Sequence, residues 1–424
     1  MTAKERLRNI VGGSAGNLVE WFDWYVYAAF TLYFAPSFFP KGDQTAQLLS
    51  SAAVFAVGFV MRPIGAWLFG IYADRRGRKA GLTLSVSLMC AGSLMIAAAP
   101  TYASAGLLSP AILVLARMIQ GLSLGGEYGS SATYLSEMAG RERRGFWSSF
   151  QYVTLIAGQL VALALLLLLQ ALLPEAALER WGWRLAFAAG ALLAVVVFVI
   201  RRRLSESPSF DANPVRVSSG TSLFRDHPRE ALLVMALTAG GTLAFYAYTT
   251  YMQKYLANTV GFDRPTASRI MTAALFVFML LQPLAGLLSD RIGRKPVMIA
   301  FGIAGTLLTV PIFTALEATR DPWTAFALVM ASLVIVTGYT SINAVVKAEL
   351  FPSHIRALGV ALPYAIANTM FGGTAEYVAL WLKDAGHERW FYTYVAAMIG
   401  LSLVAYATMR ETKLTSRIDD DRTA

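Results

Sequence analysis

The stretch Gly70-Ile-Tyr-Ala-Asp-Arg-Arg-Gly-Arg-Lys79 returns, with four changes, as Gly286-Leu-Leu-Ser-Asp-Arg-Ile-Gly-Arg-Lys295. The two copies lie 216 positions apart in a chain of 424 residues, and long apolar stretches flank both of them. A charged loop that occurs twice, at half-length spacing within membrane sequence, predicts two parallel halves that move against each other. Such a design is typical of transporters.

The composition also indicates a membrane protein. Hydrophobic residues make up 56% of the chain and charged residues 15%, whereas a soluble domain carries about a quarter charged residues. Cys90 is the single cysteine, which excludes an intrachain disulfide and a cysteine-rich metal site. The sequence contains no phosphate-binding loop of the G-x-x-x-x-G-K-[ST] type, and its three histidines lack metal-ligand spacing. We therefore expect neither an enzyme nor a cofactor, and we do not expect ATP to supply the energy.

The apolar stretches predict twelve membrane spans, at 16–39, 46–73, 80–100, 109–138, 145–173, 183–201, 230–256, 266–289, 296–316, 322–349, 357–382 and 389–409. Most of the 36 lysines and arginines fall in alternate connecting segments, which predicts that both termini lie in the cytoplasm. The net charge of +10 thus sets topology and does not indicate nucleic-acid binding. The predicted divisions are a six-helix half at 1–201, a cytoplasmic linker at 202–229, a second half at 230–412 and a tail at 413–424. The first residues lack the pattern of a cleaved signal peptide.

A second internal repeat pairs Glu137-Met-Ala-Gly-Arg-Glu-Arg-Arg144 with Glu349-Leu-Phe-Pro-Ser-His-Ile-Arg356. Each copy places an acid at a helix end, where it can meet the basic loops. Within the loops, the glycines permit close packing and a tight turn, and Asp74 can cap the next helix. We expect these groups to latch one closed state and to release in the other, although a simple topology-fixing loop is the alternative. The predicted gating residues are Gly70, Asp74, Gly77, Arg78, Glu137, Arg144, Asp290, Gly293, Arg294, Glu349 and Arg356.

Further strings carry a resemblance to a known family. They are Gly16-Asn-Leu-Val-Glu20-Trp-Phe-Asp23-Trp-Tyr, Met61-Arg62-Pro-Ile-Gly65, Gln120-Gly-Leu-Ser-Leu-Gly-Gly-Glu127-Tyr and Trp181-Gly-Trp-Arg184. With the duplicated loop, they resemble the metabolite:proton symporter family of the major facilitator superfamily. Within it, Thr249-Thr-Tyr-Met-Gln-Lys254-Tyr-Leu, Ile270-Met-Thr-Ala-Ala-Leu-Phe-Val-Phe-Met279 and Ala375-Glu376-Tyr-Val-Ala-Leu are similar to members that carry alpha-ketoglutarate. The resemblance covers residues 9–410 and implies an all-helical membrane protein with twelve transmembrane helices in two six-helix halves.

Ionisable groups inside the spans are candidate sites for proton coupling, because a charge in a span is costly unless it is paired or hydrated. Glu20 and Asp23 lie three residues apart in the first span. In the superfamily an acid of the first helix commonly faces an arginine of the fourth, and the resemblance assigns Asp23 and Arg117 to those positions. We expect Asp23 to bind the coupling proton, with Glu20, Arg117 and Glu127 as further coupling candidates. A permanent structural ion pair is the alternative.

Three cations are candidates for substrate binding: Arg62, Lys254 and Lys347. A dicarboxylate needs two cationic or strongly hydrogen-bonding anchors in a low-dielectric cavity. Similar family members that carry zwitterionic osmolytes lack a lysine at position 254. The alternatives are a packing role for Arg62, contact with water for Lys254 and a pairing near the cytoplasmic end for Lys347. Polar residues predicted to complete the cavity, or to bond helices to each other, are Gln151, Tyr152, Gln159, Tyr248, Tyr251, Asn343, Asn368 and Glu376.

The resemblance implies a symporter that imports alpha-ketoglutarate, or a related dicarboxylate, with protons across a bacterial inner membrane by alternating access. The expected partners are the dicarboxylate, the proton and the lipid bilayer, with no nucleic acid, and the expected state is a monomer. Two alternatives stay open. One is a symporter of another metabolite, such as citrate, shikimate or a betaine-type osmolyte. The other is a transporter-like sensor that binds its ligand without turnover.

Overall fold

The computed structural model describes residues 3–40, 42–76, 78–125, 132–133, 135–137, 139–202, 220–352 and 355–419, with the backbone alone at 3–16, 70–83, 200–202 and 220–222. These residues form helices and connecting segments, and no strand occurs among them. Twelve long helices follow the predicted spans. In chain order, α1 to α12 are Ala3–Phe38, Gln44–Arg76, Arg78–Ala98, Leu108–Gly125, Arg144–Leu172, Trp183–Arg202, Pro228–Tyr248, Arg264–Ile292, Arg294–Ala318, Pro322–Thr340, Arg356–Ala367 and Glu388–Thr408.

Short helices extend or connect the long ones. Three of them continue a span after a break: Met252–Tyr255 after α7, Asn343–Leu350 after α10 and Ala375–Asp384 after α11. Three segments are π-helical, namely Leu178–Gly182, Leu256–Val260 and Asn368–Gly372. Such segments are frequent at functional sites. The remaining short helices are Tyr102–Ala105, Arg141–Arg143, Glu175–Ala177 and Gly220–Asp226.

Within the described part of the chain, nine helices are long and apolar enough to cross a membrane. The other three predicted spans correspond to α1, α3 and α11. The acids and tyrosines of α1 lower its hydropathy, the side chains of α3 are described only from Leu84 to Ala98, and the π-helical segment divides α11. Large apolar side chains such as Leu168, Leu192 and Leu307 are exposed on the outer surface, where lipid would cover them.

The two halves, α1–α6 and α7–α12, meet mainly where α5 packs along α8 and where α2 packs on Ala375–Asp384. Gly145 at the start of α5 lies against Gly286 of α8, and a Cβ on either glycine would collide with the backbone of the other helix. We call the end of the bundle that carries residues 139–144, 290–294, 349–356 and 409–419 the linker end, and the other the opposite end. The predicted boundaries at 201, 229 and 412 stay predictions.

Gly293 forms the turn in the second copy of the repeated loop. Its φ of 103° lies in the region that favours glycine, and it separates α8 from α9 without a connecting loop. The tight turn expected there is therefore present, and it fixes where the charged groups on both sides of it point.

Candidate functional site

A small cavity of about 20 Å³, with room for about one water molecule, lies between the two halves. Helices α1, α2 and α4 supply one wall, and α11 with its π-helical segment supplies the other. Small-molecule sites are typically about 300–1,000 Å³, so the halves must separate at this cavity before it can hold a substrate. The lining residues are Asn17, Glu20, Trp21, Arg62, Leu124, Gly125, Ala361, Tyr364, Ala365 and Asn368.

Arg62 is the cation in the wall of this cavity. Its guanidinium lies 4.0 Å from the centre of the Phe59 ring and 4.3 Å from that of Trp24, and only 5% of the residue is exposed. Its Nε and Nη2 atoms are buried without a hydrogen-bond acceptor. Cation–π contacts contribute about 0.5–2 kcal/mol each, which offsets part of the cost of burying a charge. A carboxylate in the cavity would supply the acceptors that these nitrogens lack.

Lys347 is a buried cation of the other half that contacts Tyr364 in the wall of this cavity. It is fully buried, its Nζ donates to Asn343 Oδ1 at 2.9 Å, and it lies 4.0 Å from the centre of the Tyr364 ring. Tyr364 lines the cavity with Arg62. Tyr152 of α5 reaches Asn343 and Tyr364 by side-chain hydrogen bonds. Predicted binding residues from both halves therefore meet around Tyr364, which the sequence reasoning had not selected.

Lys254 is placed elsewhere. Its Nζ lies 2.6 Å from Glu376 Oε2, and both side chains are buried within the second half. The alternative of contact with water does not fit this structure, because Lys254 is 1% exposed. Both residues were predicted to bind substrate, and in this structure they bind each other.

Asp23 lies in a buried polar network of the first half. It accepts hydrogen bonds from Ser93 Oγ and from Gln120 Nε2, the latter at 2.6 Å, and Gln120 Oε1 accepts from Arg117 Nη1 at 2.9 Å. Gln120 therefore mediates the expected pairing of Asp23 with Arg117. The Arg117 guanidinium also covers the Trp24 ring at 3.8 Å, and its Nε and Nη2 are buried without an acceptor. Because the Gln120 side-chain amide bonds to both residues, a change in the charge of Asp23 would alter the hydrogen bonding of Arg117.

The other predicted polar residues lie in different surroundings. Tyr248 bonds Thr309 Oγ1 at 2.6 Å, and Tyr251 packs against Phe391, so both hold helices of the second half together. Gln159 is buried in α5 with both side-chain polar atoms lacking a partner. Asn368 lines the cavity and is hydrogen-bonded to Thr242, while Gln151 accepts from Asn17 through its backbone oxygen.

The linker end contains cross-half contacts made by several of the predicted gating residues. Asp290 of α8 accepts from the backbone N–H of Gly145 at 2.8 Å and from that of Phe146 at 2.9 Å. The first amides of a helix have no acceptor within that helix, and a carboxylate there also interacts favourably with the helix dipole. Asp290 therefore caps α5 from the other half, and the close approach at Gly286 permits it.

The other gating residues surround this cap. Glu349 lies 3.5 Å from Arg144 and 3.6 Å from Arg294, and all three side chains are buried. Arg356 Nη1 donates to Glu137 Oε1 at 2.6 Å, again across the halves. The structure therefore joins the two copies of the second repeat to each other and to the second basic loop.

The second copy of the repeated loop caps a helix of the other half. The prediction that Asp74 caps the next helix stays a prediction, but Asp290, its counterpart, caps α5 and not the helix that follows it. The backbone N–H groups of Arg294 and Lys295, at the start of α9, instead donate to Glu411, both at 2.9 Å. The next helix, α9, is closer in the sequence. The packing of α5 on α8 nevertheless brings the backbone amides at the start of α5 closer to the Asp290 carboxylate.

Five of the predicted gating and coupling residues are not described by the structure, either entirely or beyond the backbone. Gly77 and Glu127 lie outside the described residues, and for Gly70, Asp74 and Arg78 only the helical backbone is described. Their predicted roles stay predictions.

The opposite end carries a second cross-half contact. Arg264 Nη1, at the start of α8, lies 2.5 Å from Glu179 Oε1 and 3.1 Å from Glu175 Oε1 of the first half. The side chain of Glu175 is 63% exposed, so this pair is far wetter than the buried cluster at the linker end. These residues lie in or next to connecting segments that show no repeated pattern, so no sequence signal indicated them. Two other residues were missed, Gln120 in the Asp23 network and Tyr364 in the cavity wall. The i, i+3 spacing of Arg117 and Gln120 and the i, i+4 spacing of Tyr364 and Asn368 were usable signals for them.

Comparisons with known proteins place this architecture. A family model described as "Sugar (and other) transporter" matches residues 9–226 and again 214–419. The alpha-ketoglutarate permease of Escherichia coli (strain K12) is 55% identical over 395 residues, which cover 93% of this chain and 91% of the permease. The citrate-proton symporter of Salmonella typhi is 31% identical over 94% of this chain and 93% of its own. The solved structure of the proton:xylose symporter XylE bound to 6-bromo-6-deoxy-D-glucose matches with a TM-score of 0.80 at 18% identity, over 100% of both chains. That likeness confirms the predicted fold of two six-helix halves.

Proposed function

We propose, from the premise that this chain belongs to the sugar (and other) transporter family of the major facilitator superfamily, that it imports alpha-ketoglutarate or a closely related dicarboxylate together with protons. It would act in a bacterial inner membrane with both termini in the cytoplasm, as the distribution of lysine and arginine predicts. The linker end is then the cytoplasmic end. We expect a monomer, because the two halves of one chain enclose the whole cavity.

One observation carries the assignment of a dicarboxylate. The inter-half cavity joins Arg62 of the first half to Tyr364, and Tyr364 in turn contacts Lys347 of the second half. A substrate with two carboxylates would contact one cation on each half and would draw the halves together. Arginine offers a planar pair of donors for one carboxylate, and lysine offers a point charge for the other. The hydroxyl and amide groups of Tyr152 and Asn343 would orient the substrate without adding charge.

Proton coupling is proposed at Asp23. Protonation of this carboxyl would weaken its hydrogen bonds with Ser93 and Gln120, and Gln120 would no longer tie Arg117 to an anion. Arg117 and Arg62 both contact the Trp24 ring, at 3.8 and 4.3 Å, so a shift of one guanidinium changes the environment of the other. This shared ring is a physical route from the proton site to the substrate site. Glu20, in the cavity wall, is a second candidate for the proton.

Alternating access would then proceed by exchange of the two gates. The buried cluster around Asp290 and Glu349 closes the linker end, and the pair of Arg264 with Glu179 closes the opposite end. Exposed ion pairs contribute about 0–1 kcal/mol, so the opposite end should open more readily than the linker end. We therefore expect the empty carrier to favour the state that accepts substrate from outside.

The proposal is tested by counterflow of labelled alpha-ketoglutarate in proteoliposomes made with purified protein. Arg62→Gln and Lys347→Met should each raise the KM for exchange by about 10-fold to 100-fold, equivalent to about 1.4–2.8 kcal/mol of lost charge-assisted bonding. Arg389→Gln is the matched control, because Arg389 is exposed at the opposite end beside Glu317.

The outcomes separate the open alternatives. Stronger competition by citrate than by alpha-ketoglutarate would indicate that the substrate is a tricarboxylate. Competition by betaine alone would exclude a dicarboxylate substrate. Binding without exchange would indicate a sensor. Unchanged KM in both cavity variants would refute the two anchors while leaving the family membership intact.

A further inference from the structure

We infer that residues Glu411–Asp419, which follow α12, form a strap that locks the two halves together at the linker end and must detach before the cavity can open there. The repeats and gates described above assign no role to this segment. The inference does not depend on which substrate the carrier takes.

The strap is fixed firmly to the second half. Glu411 accepts from the first two amides of α9, Thr412 Oγ1 donates to Glu349 Oε2 at 2.6 Å, and Lys413 Nζ donates to the backbone oxygen of Asp290 at 2.5 Å. Ile418 is buried in an apolar cluster that includes Phe351. Each of these contacts involves a predicted gating residue or a residue close to one. The position of the strap therefore depends directly on how the gating residues are arranged.

The far end of the strap reaches the first half. Ser416 Oγ accepts from Arg144 Nη1 at 3.0 Å, and Asp419 Oδ1 accepts from Arg144 Nη2 at 2.8 Å. Asp419 also lies 3.4 Å from Arg141 Nε. Arg144 begins α5, the helix that Asp290 caps. These cross-half bonds can exist only while the start of α5 rests against the end of α8.

The geometry therefore gives the segment two unequal attachments. The contacts with the second half are buried and numerous and would persist through the cycle. The contacts with the first half are few, and the side chain of Asp419 is 22% exposed. Water can replace those bonds, so the weaker end is the one that releases as the linker end opens.

The test measures opening at the linker end without substrate. Ala361 lines the cavity and lies five residues, or about 7.5 Å of helix, from Arg356 at that end. Cys90→Ser removes the single natural cysteine, and Ala361→Cys then reports access for a membrane-impermeant maleimide added to inside-out vesicles. Ser416→Ala with Asp419→Asn removes the attachment to the first half and leaves the anchors on the second half intact. Glu142→Gln, an exposed acid beside Arg141, is the matched control.

We expect the double variant to label about tenfold faster than the control, which corresponds to about 1.4 kcal/mol. A chain that ends at Arg410 should label at least as fast. Equal labelling of the double variant and the control would overturn the strap, whatever the truncated chain does. Asp419→Asn alone changes a partly exposed side chain and supplies a second test if the double variant folds poorly: it too should label faster than Glu142→Gln.

Discussion

The cap that Asp290 provides for α5 gives the sharpest quantitative prediction. In Asp290→Asn, one carboxylate oxygen becomes an NH₂ group that faces a backbone N–H, so either Gly145 or Phe146 loses its acceptor. Arg294 Nη1 also donates to Asp290 Oδ1 at 2.7 Å, but this bond lies within the second half and cancels between the closed and open states. Only the two cross-half bonds, at 2.8 and 2.9 Å, and the interaction with the helix dipole favour the closed state.

The magnitude follows from those terms. A hydrogen bond to a charged group contributes about 1.5–3 kcal/mol net, and a charge at a helix terminus contributes about 0.3–1 kcal/mol. The substitution should therefore cost the closed state about 2–4 kcal/mol. At about 1.4 kcal/mol per factor of ten, the ratio of open to closed linker end should rise by about 30-fold to 1,000-fold.

Hydrogen–deuterium exchange measures this ratio locally. The amides of Gly145 and Phe146 are the first of α5 and have no acceptor within that helix, so Asp290 is what protects them. A peptide covering 144–150 should exchange faster in Asp290→Asn by the same factor.

Asp263→Asn is the control for this experiment. Asp263 caps α8 from within the same half by accepting from Thr266, and asparagine caps equally well. Hydrogen bonds from Thr266 lower the pKa of Asp263, so this control removes a full negative charge throughout the usual pH range. Equal exchange of the 144–150 peptide in the two variants would refute the latch.

Three further predictions concern the substrate, the proton and the opposite gate. Arg62→Lys should keep the charge but lose the planar stacking on Trp24, so we expect a fall of about tenfold or more in kcat/KM for labelled uptake, and a variant equal to wild type would exclude a guanidinium-specific role. Asp23→Asn should abolish accumulation driven by a pH gradient and retain counterflow, and accumulation that persists would move the coupling proton elsewhere. Glu179→Gln should weaken the exposed pair with Arg264 by about 0.5 kcal/mol. The rate at which a cysteine in the cavity is labelled by a maleimide added from outside should therefore rise by only about twofold. A rise as large as that caused by Asp290→Asn would contradict the unequal gates.

The sequence predicted the architecture well because its signals are periodic and repeated. Each of the twelve predicted spans overlaps a long helix, since apolar length and loop charge are properties of local sequence, but the breaks after α7, α10 and α11 were not predicted. The sequence also selected residues that contact one another across the halves, because two repeats at offsets near half the chain length indicate groups that meet around a pseudo-symmetry axis. Their role in gating stays a prediction.

The partners of the buried charges were harder to predict. Lys254 and Lys347 carry the same charge in similar apolar surroundings, and only the packing of α11 decides that one meets Glu376 and the other faces Tyr364. The same limit applies to Asp23 and Arg117, where Gln120 lies between the expected partners. Pairing depends on which faces of separate helices meet, and a single sequence states that only indirectly.

The strap was not predicted because its residues have no repeat and a polar tail usually lies free in solvent. Its seat is formed by groups from α8, α9 and α5 that come together only in the folded chain. Glu411 illustrates the point, since it caps a helix that begins 117 residues earlier in the sequence.

The central claim is proton-driven import of a dicarboxylate. The most direct test is uptake of labelled alpha-ketoglutarate into proteoliposomes with and without an imposed inward proton gradient. The account predicts accumulation above the external concentration only with the gradient, and competition by other dicarboxylates. Equilibration to the same level in both conditions would contradict it.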